Sequence, residues 1–126
     1  MTTVAQLVSE AKASVENLTP DDVANERDRG ALLVDIRESG ELETGTIEGA
    51  VHAPRGMLEF YADPTSPYHR EEFQPDRRIV LYCASGGRSA LAAQALMGLG
   101  YTDVAHLDGG LKAWTATGGA TAPPAR

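Results

Sequence analysis

An apolar strand that runs straight into a glycine-containing loop and then a helix is the feature that most constrains the fold of this chain. The run Ile79–Tyr82 is apolar and begins with two β-branched residues, which is typical of a strand buried on both faces. The alanine- and leucine-rich segment 89–97 predicts a helix that ends at Gly98. Residues 83–88 alone join the two elements, so the chain contains a βα unit with a tight connection.

The same alternation of strand and helix extends over most of the chain. Further short apolar runs predict strands at 17–18, 31–36, 50–53 and 103–107. Helical periodicity and capping residues predict helices at 3–16, at 20–29, near 56–61 and through Trp114, and a loop with a short helix at 37–48. Strands that alternate with helices predict an α/β fold, with a mainly parallel sheet flanked by helices on both faces.

Length and composition predict one domain with its own core, because the chain has 126 residues of which 42% are hydrophobic. We divide it into an N-terminal helix at 1–16, a domain at 17–117 and a flexible tail at 118–126, where glycine and proline favour neither helix nor sheet. No apolar run reaches the roughly 18 residues needed to span a bilayer, and the first residues lack the pattern of a secretory signal. We therefore expect a cytoplasmic protein.

Charge and metal-ligand spacing exclude several kinds of partner. The 18 acidic residues outnumber the 11 basic ones, which argues against binding to nucleic acid and, more weakly, to an anionic membrane. One cysteine and three separated histidines give no metal-ligand spacing, so no metal site is expected. The three histidines are interpreted as hydrogen-bonded structural residues or as part of an irregular segment. The sequence leaves the oligomeric state open.

Cys83 is the candidate nucleophile, because it lies where ligands bind in open α/β sheets, beyond the carboxyl end of a strand. Gly86 and Gly87 allow the backbone to curl so that its N–H groups point inward at the positive end of a helix. Arg88 closes the loop as a fixed cation. These groups favour the thiolate, which is the nucleophilic form of cysteine. The alternative interpretation is that Cys83 is an ordinary small residue buried at a strand end.

Four segments, in order, resemble the rhodanese-like family of single-domain sulfurtransferases. The segments are LVDIRE at 33–38, GAVHAP at 49–54, LYCASGGRSA at 81–90 and LDGGLKAW at 107–114. Together they cover roughly residues 17–115. The resemblance implies a five-stranded, mainly parallel sheet flanked by helices, to which the N-terminal helix is an addition.

The resemblance also implies a reaction. Cys83 would take a sulfane sulfur from a small-molecule donor such as thiosulfate or a persulfide, hold it as a covalent persulfide without any other cofactor, and pass it to cyanide or a thiol. The outer sulfur would be cradled by the backbone amides of Ala84, Ser85, Gly86, Gly87 and Arg88. Arg88 would help to neutralise that sulfur, and Ser85 would bind the oxyanion group of the donor.

Two further features of the resemblance bear on the site. Asp35 and Arg37 support the wall of the active site in the family, although a plain salt bridge that ties the strand end to the loop explains the same residues. Many relatives carry arginine directly after the cysteine, whereas this chain has Ala84. One cationic contact to a thiosulfate sulfonate is therefore missing, which leaves the preferred donor open.

Two other functions stay open. The chain has no second cysteine to resolve a persulfide, so it is alternatively a non-catalytic module that senses an anion or docks a partner. A phosphatase or an arsenate reductase uses a related loop, but only four residues separate Cys83 from Arg88, one fewer than in the phosphatases. A shorter loop suits a single sulfur atom better than a tetrahedral phosphate.

Overall fold

The computed structural model describes residues 1–124 and shows an α/β fold. Its strands are β1 (Glu16–Leu18), β2 (Leu32–Asp35), β3 (Val51–His52), β4 (Ile79–Tyr82) and β5 (Val104–Leu107). Its helices are α1 (Val4–Ser14), α2 (Pro20–Asp28), α3 (Leu58–Ala62), α4 (Gly87–Gly98) and α5 (Gly110–Ala116), with 3₁₀ helices at Ser39–Thr44 and Arg55–Met57. The five strands pair in parallel in the order β1-β5-β4-β2-β3, which confirms the predicted fold class.

Side-chain capping defines where the first two helices begin. The hydroxyl of Thr3 accepts a hydrogen bond from the amide of Gln6 at 3.1 Å, and that of Thr19 accepts one from the amide of Asp22 at 3.2 Å. Pro20 occupies the first turn of α2, where its missing N–H costs no hydrogen bond. These short polar and proline signals explain why the helix starts are predictable from the sequence.

The central strand β4 sends alternate side chains into two separate cores. Ile79 and Leu81 pack with buried residues of α3 and α4. Val80 and Tyr82 pack on the opposite face, with buried residues of α2 and α5. Cys83 continues the first set, so its side chain belongs to the core on the α4 side of the sheet.

The additional helix α1 docks on the domain by packing against α4. Ala11 is fully buried in this contact, and the Lys12 ammonium lies 3.0 Å from the Asp108 carboxylate. Val4 and Leu7, which the helical periodicity assigns to the packed face, are instead 69% and 45% exposed. The difference arises because only the second half of α1 reaches the domain.

Part of the C-terminal tail, whose flexibility stays a prediction, forms hydrogen bonds with the domain. The indole N–H of Trp114 donates to the carbonyl oxygen of Ala120 at 2.9 Å. Thr46 and Ala122 exchange two backbone hydrogen bonds, of 2.9 and 2.8 Å, in an antiparallel bridge. Glycine and proline therefore do not prevent packing here, because other elements offer donors and acceptors. Residues 125–126 of the predicted tail lie outside the described residues.

Residues 1–124 contain neither a membrane-spanning helix nor a cluster of metal ligands. Within residues 1–124, each helix is too short or too polar to cross a bilayer. Over the same range, no three histidine, cysteine, aspartate or glutamate side chains come close enough together to hold a metal ion. The cytoplasmic location and the absence of nucleic-acid and membrane partners stay predictions.

Candidate active site

Cys83 lies directly after the central strand β4, at the carboxyl edge of the sheet, and only 1% of its surface is exposed. Its Sγ accepts hydrogen bonds from the amide N–H of Gly86 at 3.2 Å and from that of Ser89 at 3.4 Å. The sulfur is therefore packed in the core on one side and faced by main-chain donors on the other. Amide donors of this kind stabilise negative charge on sulfur.

The backbone at Gly86 makes this arrangement possible. Gly86 has a φ of +102°, in the region that side chains other than glycine rarely adopt, and it is the N-cap of α4. A Cβ at this position would lie 3.0 Å from the amide nitrogen of Gly109. Glycine thus lets the chain turn from Cys83 into α4 while its own N–H points at the sulfur.

The start of α5 holds the outer side of the loop. The amides of Leu111 and Lys112 donate to the carbonyl oxygens of Cys83 and Ala84 at 2.9 and 3.0 Å. Gly110 has a φ of +63°, and a Cβ there would lie 2.5 Å from the carbonyl carbon of Ala84. Because the loop carbonyls are bound to α5, the loop N–H groups remain on the other side. This contact explains why the LDGG segment accompanies the cysteine loop.

Several loop amides have no partner within the part of the chain that the structure describes. The N–H groups of Ala84, Ser85, Gly87 and Arg88 donate to no other group within residues 1–124. Unpaired backbone donors at a helix start are suited to an incoming anion. The cradle for an outer sulfur stays a prediction, and of the five amides assigned to it, that of Gly86 is bound to the Cys83 sulfur.

A groove of about 510 Å³ opens beside the loop. Ala84 and Ser85 form one wall, and Leu111 and Lys112 of α5 form another. Its volume lies in the range of small-molecule sites, roughly 300–1,000 Å³. Cys83 does not line the groove, so a ligand there would meet the loop before it meets the sulfur.

The guanidinium of Arg88, predicted to act as a cation on the sulfur, is bound to a carboxylate. Its two terminal nitrogens bind the carboxylate oxygens of Glu41 at 2.7 and 2.9 Å. The hydrogen bond from Arg88 lowers the pKa of Glu41 to about 2, so the pair stays ionised at neutral pH. Glu41 reaches Arg88 because the 3₁₀ helix Ser39–Thr44 folds beside the loop. Much of the charge of Arg88 is therefore balanced by Glu41.

Asp35 and Arg37 form a buried ion pair. Both residues are almost inaccessible, at 1% and 2% exposure, and the guanidinium binds both carboxylate oxygens, the shortest contact being 2.8 Å. Arg37 also donates to the carbonyl oxygens of Glu41 and Gly45 at 3.1 and 2.8 Å. The ion pair between strand end and loop is thus present and also anchors the segment that carries Glu41, while a role in the wall of the site stays a prediction.

Ser89 and Lys112 are absent from the predicted site. Ser89 is buried, and its Oγ lies 3.6 Å from Cys83 Sγ and 2.8 Å from Nδ1 of His106. A polar residue on the buried face of an otherwise apolar helix was the signal for it in the sequence. The tertiary fold places Lys112 at the groove, and no local sequence pattern predicts this position. His106 is buried and hydrogen-bonded, as the sequence predicts.

Several known proteins are similar to this chain in sequence or in fold. Residues 19–117 match the family model of the rhodanese-like domain. A sulfurtransferase from Allochromatium vinosum is 39% identical over 87 residues, which cover 69% of this chain and 74% of the relative. The thiosulfate sulfurtransferase GlpE from Pseudomonas savastanoi pv. phaseolicola is 30% identical over 103 residues, covering 81% and 89%. A solved structure from Rhodopseudomonas palustris, of a protein of unknown function described as a possible tyrosine phosphatase, has a TM-score of 0.91 and 41% identity, covering 97% of this chain and 96% of that one.

Proposed function

This chain belongs to the rhodanese-like family, and we propose that it is a sulfurtransferase whose nucleophile is Cys83. The observation that carries the proposal is the sulfur of Cys83 at the carboxyl edge of the sheet, with the amides of Gly86 and Ser89 directed at it. Donors in this position favour the thiolate over the thiol, and the thiolate is the form that attacks sulfane sulfur.

The reaction has two steps, in each of which one bond to the outer sulfur forms and one breaks. The Cys83 thiolate attacks the outer sulfur of thiosulfate or of an organic persulfide, and the S–S bond of the donor breaks. Sulfite or a thiolate leaves with the electron pair, and Cys83 carries a persulfide anion. Cyanide or an acceptor thiolate then attacks the outer sulfur, which regenerates the Cys83 thiolate and releases thiocyanate or a new persulfide. The covalent persulfide is the only carrier that this scheme requires.

The loop amides supply the stabilisation that the persulfide needs. The N–H groups of Ser85, Gly87 and Arg88 belong to the loop that follows Cys83 and have no partner within residues 1–124, and we assign them to the negative outer sulfur. The hydroxyl of exposed Ser85, which lines the groove, is assigned to the oxyanion group of the donor. Arg88 contributes less than a free guanidinium would, because Glu41 binds it.

Lys112 is a candidate to replace the cation that is missing at Ala84. Its side chain lines the groove beside Ala84 and Ser85, and within residues 1–124 it forms no salt bridge. Since the whole chain carries a net charge of −7, an anionic donor is otherwise repelled. A lysine at the groove therefore favours anionic donors locally.

Lys112→Gln is expected to raise the KM for thiosulfate by about three- to tenfold and to leave kcat within about twofold, because one exposed cationic contact is worth about 1 kcal/mol. Steady-state kinetics with thiosulfate and cyanide measure this. Arg29→Gln is the matched control, since it removes the same charge from an exposed position outside the groove. Equal effects of the two substitutions would contradict the assignment.

A phosphatase is the second candidate because the structural relative from Rhodopseudomonas palustris is described as a possible tyrosine phosphatase. Two observations disfavour it. Four residues separate Cys83 from Arg88, so the loop leaves little space for a tetrahedral oxyanion. Arg88 is in addition bound to Glu41. A non-catalytic module that senses an anion or docks a partner is the third candidate, and the same assay separates all three.

The test compares the wild type with Cys83→Ser in two turnover assays, thiosulfate with cyanide and hydrolysis of an aryl phosphate. We expect turnover only with the sulfane donor, and a loss of about 10³-fold or more in the variant, because a hydroxyl is a far weaker nucleophile at neutral pH. Aryl phosphate turnover that depends on Cys83 would favour the phosphatase. No turnover in either assay would favour the module.

A further inference from the structure

Ser89 and His106 form a hydrogen-bonded chain that begins at the Cys83 sulfur. The Cys83 thiol donates to Ser89 Oγ at 3.6 Å, and Ser89 Oγ lies 2.8 Å from His106 Nδ1. The hydroxyl of Ser89 has one other acceptor, the carbonyl oxygen of Gly86 at 3.4 Å, but the histidine contact is shorter. Ser89 and His106 are both fully buried. The other two partners of Cys83 Sγ are amide donors, so Ser89 Oγ is the group that can take its proton.

The tautomer of His106 is set by Asn17 on β1. The amide nitrogen of Asn17 donates to the carbonyl oxygens of Lys12 and Val15 at 2.9 and 3.1 Å, which turns its oxygen towards the histidine. Nε2 of His106 lies 2.7 Å from that oxygen and therefore carries the hydrogen. Nδ1 is left as an acceptor, so the Ser89 hydroxyl donates to it.

We propose that Ser89 and His106 are positioning residues that take up and return the proton of Cys83. The inference rests on the proposed role of Cys83 as a nucleophile. As the thiol proton passes to Ser89 Oγ, the proton of Ser89 passes to His106 Nδ1. The products are the Cys83 thiolate, a neutral serine and a histidine imidazolium, with no net gain or loss of protons. The proton returns along the same path when the thiol is reformed.

The surroundings of His106 suit a proton acceptor that is neutral at rest. Burial lowers the pKa of His106, which keeps the imidazole neutral at rest and disfavours the imidazolium, so His106 takes the proton only together with formation of the Cys83 thiolate, whose negative charge offsets it. The charged or titratable groups that face it are Lys12 on α1, Asp108 after β5 and Cys83 after β4. Asp108 favours the imidazolium and Lys12 opposes it, while the two bind each other at 3.0 Å.

The test follows alkylation of Cys83 by iodoacetamide as a function of pH, from about pH 5 to 9. Cys83 is the single cysteine, so intact mass reports its labelling directly. A thiolate paired with an imidazolium has the same proton count as the neutral pair, so its population does not depend on pH between the two ionisations. We expect the wild-type rate to fall by clearly less than tenfold per pH unit on the acid side.

The weaker pH dependence of the wild type would appear as a shoulder on the acid side of its rate curve. Ser89→Ala and His106→Asn are expected to remove this shoulder, so that their rates fall by about tenfold per pH unit, as for a single ionisation. At pH 6 both should react about tenfold or more slowly than the wild type. Asparagine keeps a hydrogen-bonding group near the position of Nδ1 but cannot take up a proton. If His106 had only a structural role, the shoulder would therefore remain in His106→Asn. Ser89→Thr keeps the hydroxyl and is expected to restore the shoulder.

The control is His69→Gln, because Nε2 of His69 is hydrogen-bonded to the carbonyl oxygen of Phe73 at 3.0 Å and not to the Cys83 loop. It should match the wild type within about twofold at each pH. Identical pH curves for the wild type, Ser89→Ala and His106→Asn would overturn the proposal, as would a shoulder that survives in His106→Asn. Because iodoacetamide carries no sulfane sulfur, this result is separate from the outcome of the sulfur-transfer assays.

Discussion

Gly110→Ala is expected to disable the Cys83 loop, with at least about a 100-fold loss of sulfur uptake and about 2–5 kcal/mol of the free energy of unfolding. A Cβ at residue 110 would lie 2.5 Å from the carbonyl carbon of Ala84 and 2.6 Å from the carbonyl oxygen of Cys83. These are backbone atoms, so no side-chain rotation relieves the overlap. The φ of +63° adds strain for any residue with a Cβ. Urea denaturation and uptake from thiosulfate measure the two effects.

Gly98→Ala is the matched control, because nothing lies within 4 Å of a Cβ at that position. We expect it to be neutral or slightly stabilising at the end of α4, since alanine favours a helix over glycine. If Gly110→Ala does not fold, a Leu111→Pro variant, which removes the amide bound to the Cys83 carbonyl, tests the same contact. Uptake at the wild-type rate in a folded Gly110→Ala variant would contradict this account of the loop.

Arg37→Met is expected to lower the free energy of unfolding by about 3–5 kcal/mol, because it leaves the buried Asp35 carboxylate without its partner. The loss would be a large share of the roughly 5–15 kcal/mol that holds a domain of this size together. Urea denaturation at neutral pH, followed by the fluorescence of Trp114, measures it. The carbonyl oxygens of Glu41 and Gly45 also lose a donor, so the segment beside the groove should loosen.

Two further variants separate charge from packing. Arg29→Met removes an exposed arginine and should change stability by less than about 0.5 kcal/mol. Adding Asp35→Asn to Arg37→Met should recover part of the loss, because it removes the uncompensated charge. A loss in Arg37→Met no larger than that in Arg29→Met would show that the buried pair does not stabilise the fold.

Local sequence patterns were sufficient to predict the fold class and the order of its elements. The strands and helices were predictable in order, because their signals act through neighbouring residues. Examples are the apolar run of β4, Thr19 and Pro20 at the start of α2, and Gly98 at the end of α4. The hydrogen bonds of Ala120 and Ala122 were not predictable, because their partners, Trp114 and Thr46, are supplied by the tertiary fold. The exposure of Val4 has the same origin, since helical periodicity does not say how far a helix reaches beyond the domain.

The candidate site likewise contains residues that local sequence could predict and residues that only the tertiary fold brings in. Cys83 and the glycines of its loop were predictable, because the strand, the turn and the helix start are contiguous in sequence. The partner of Arg88 was not, since Glu41 lies 47 positions away and is brought in by a short 3₁₀ helix. The contact between Gly110 and the Cys83 loop depends on a close backbone approach that residue types alone do not encode.

The central claim is that Cys83 holds sulfane sulfur, and intact mass after incubation with thiosulfate tests it most directly. We predict a gain of about 32 Da, one sulfur atom, on the wild type, reversed by cyanide and absent from Cys83→Ser. Since the chain has a single cysteine, the added mass has one thiol to reside on. An unchanged wild-type mass with thiosulfate and with an organic persulfide would contradict the claim, as would an equal gain in the serine variant.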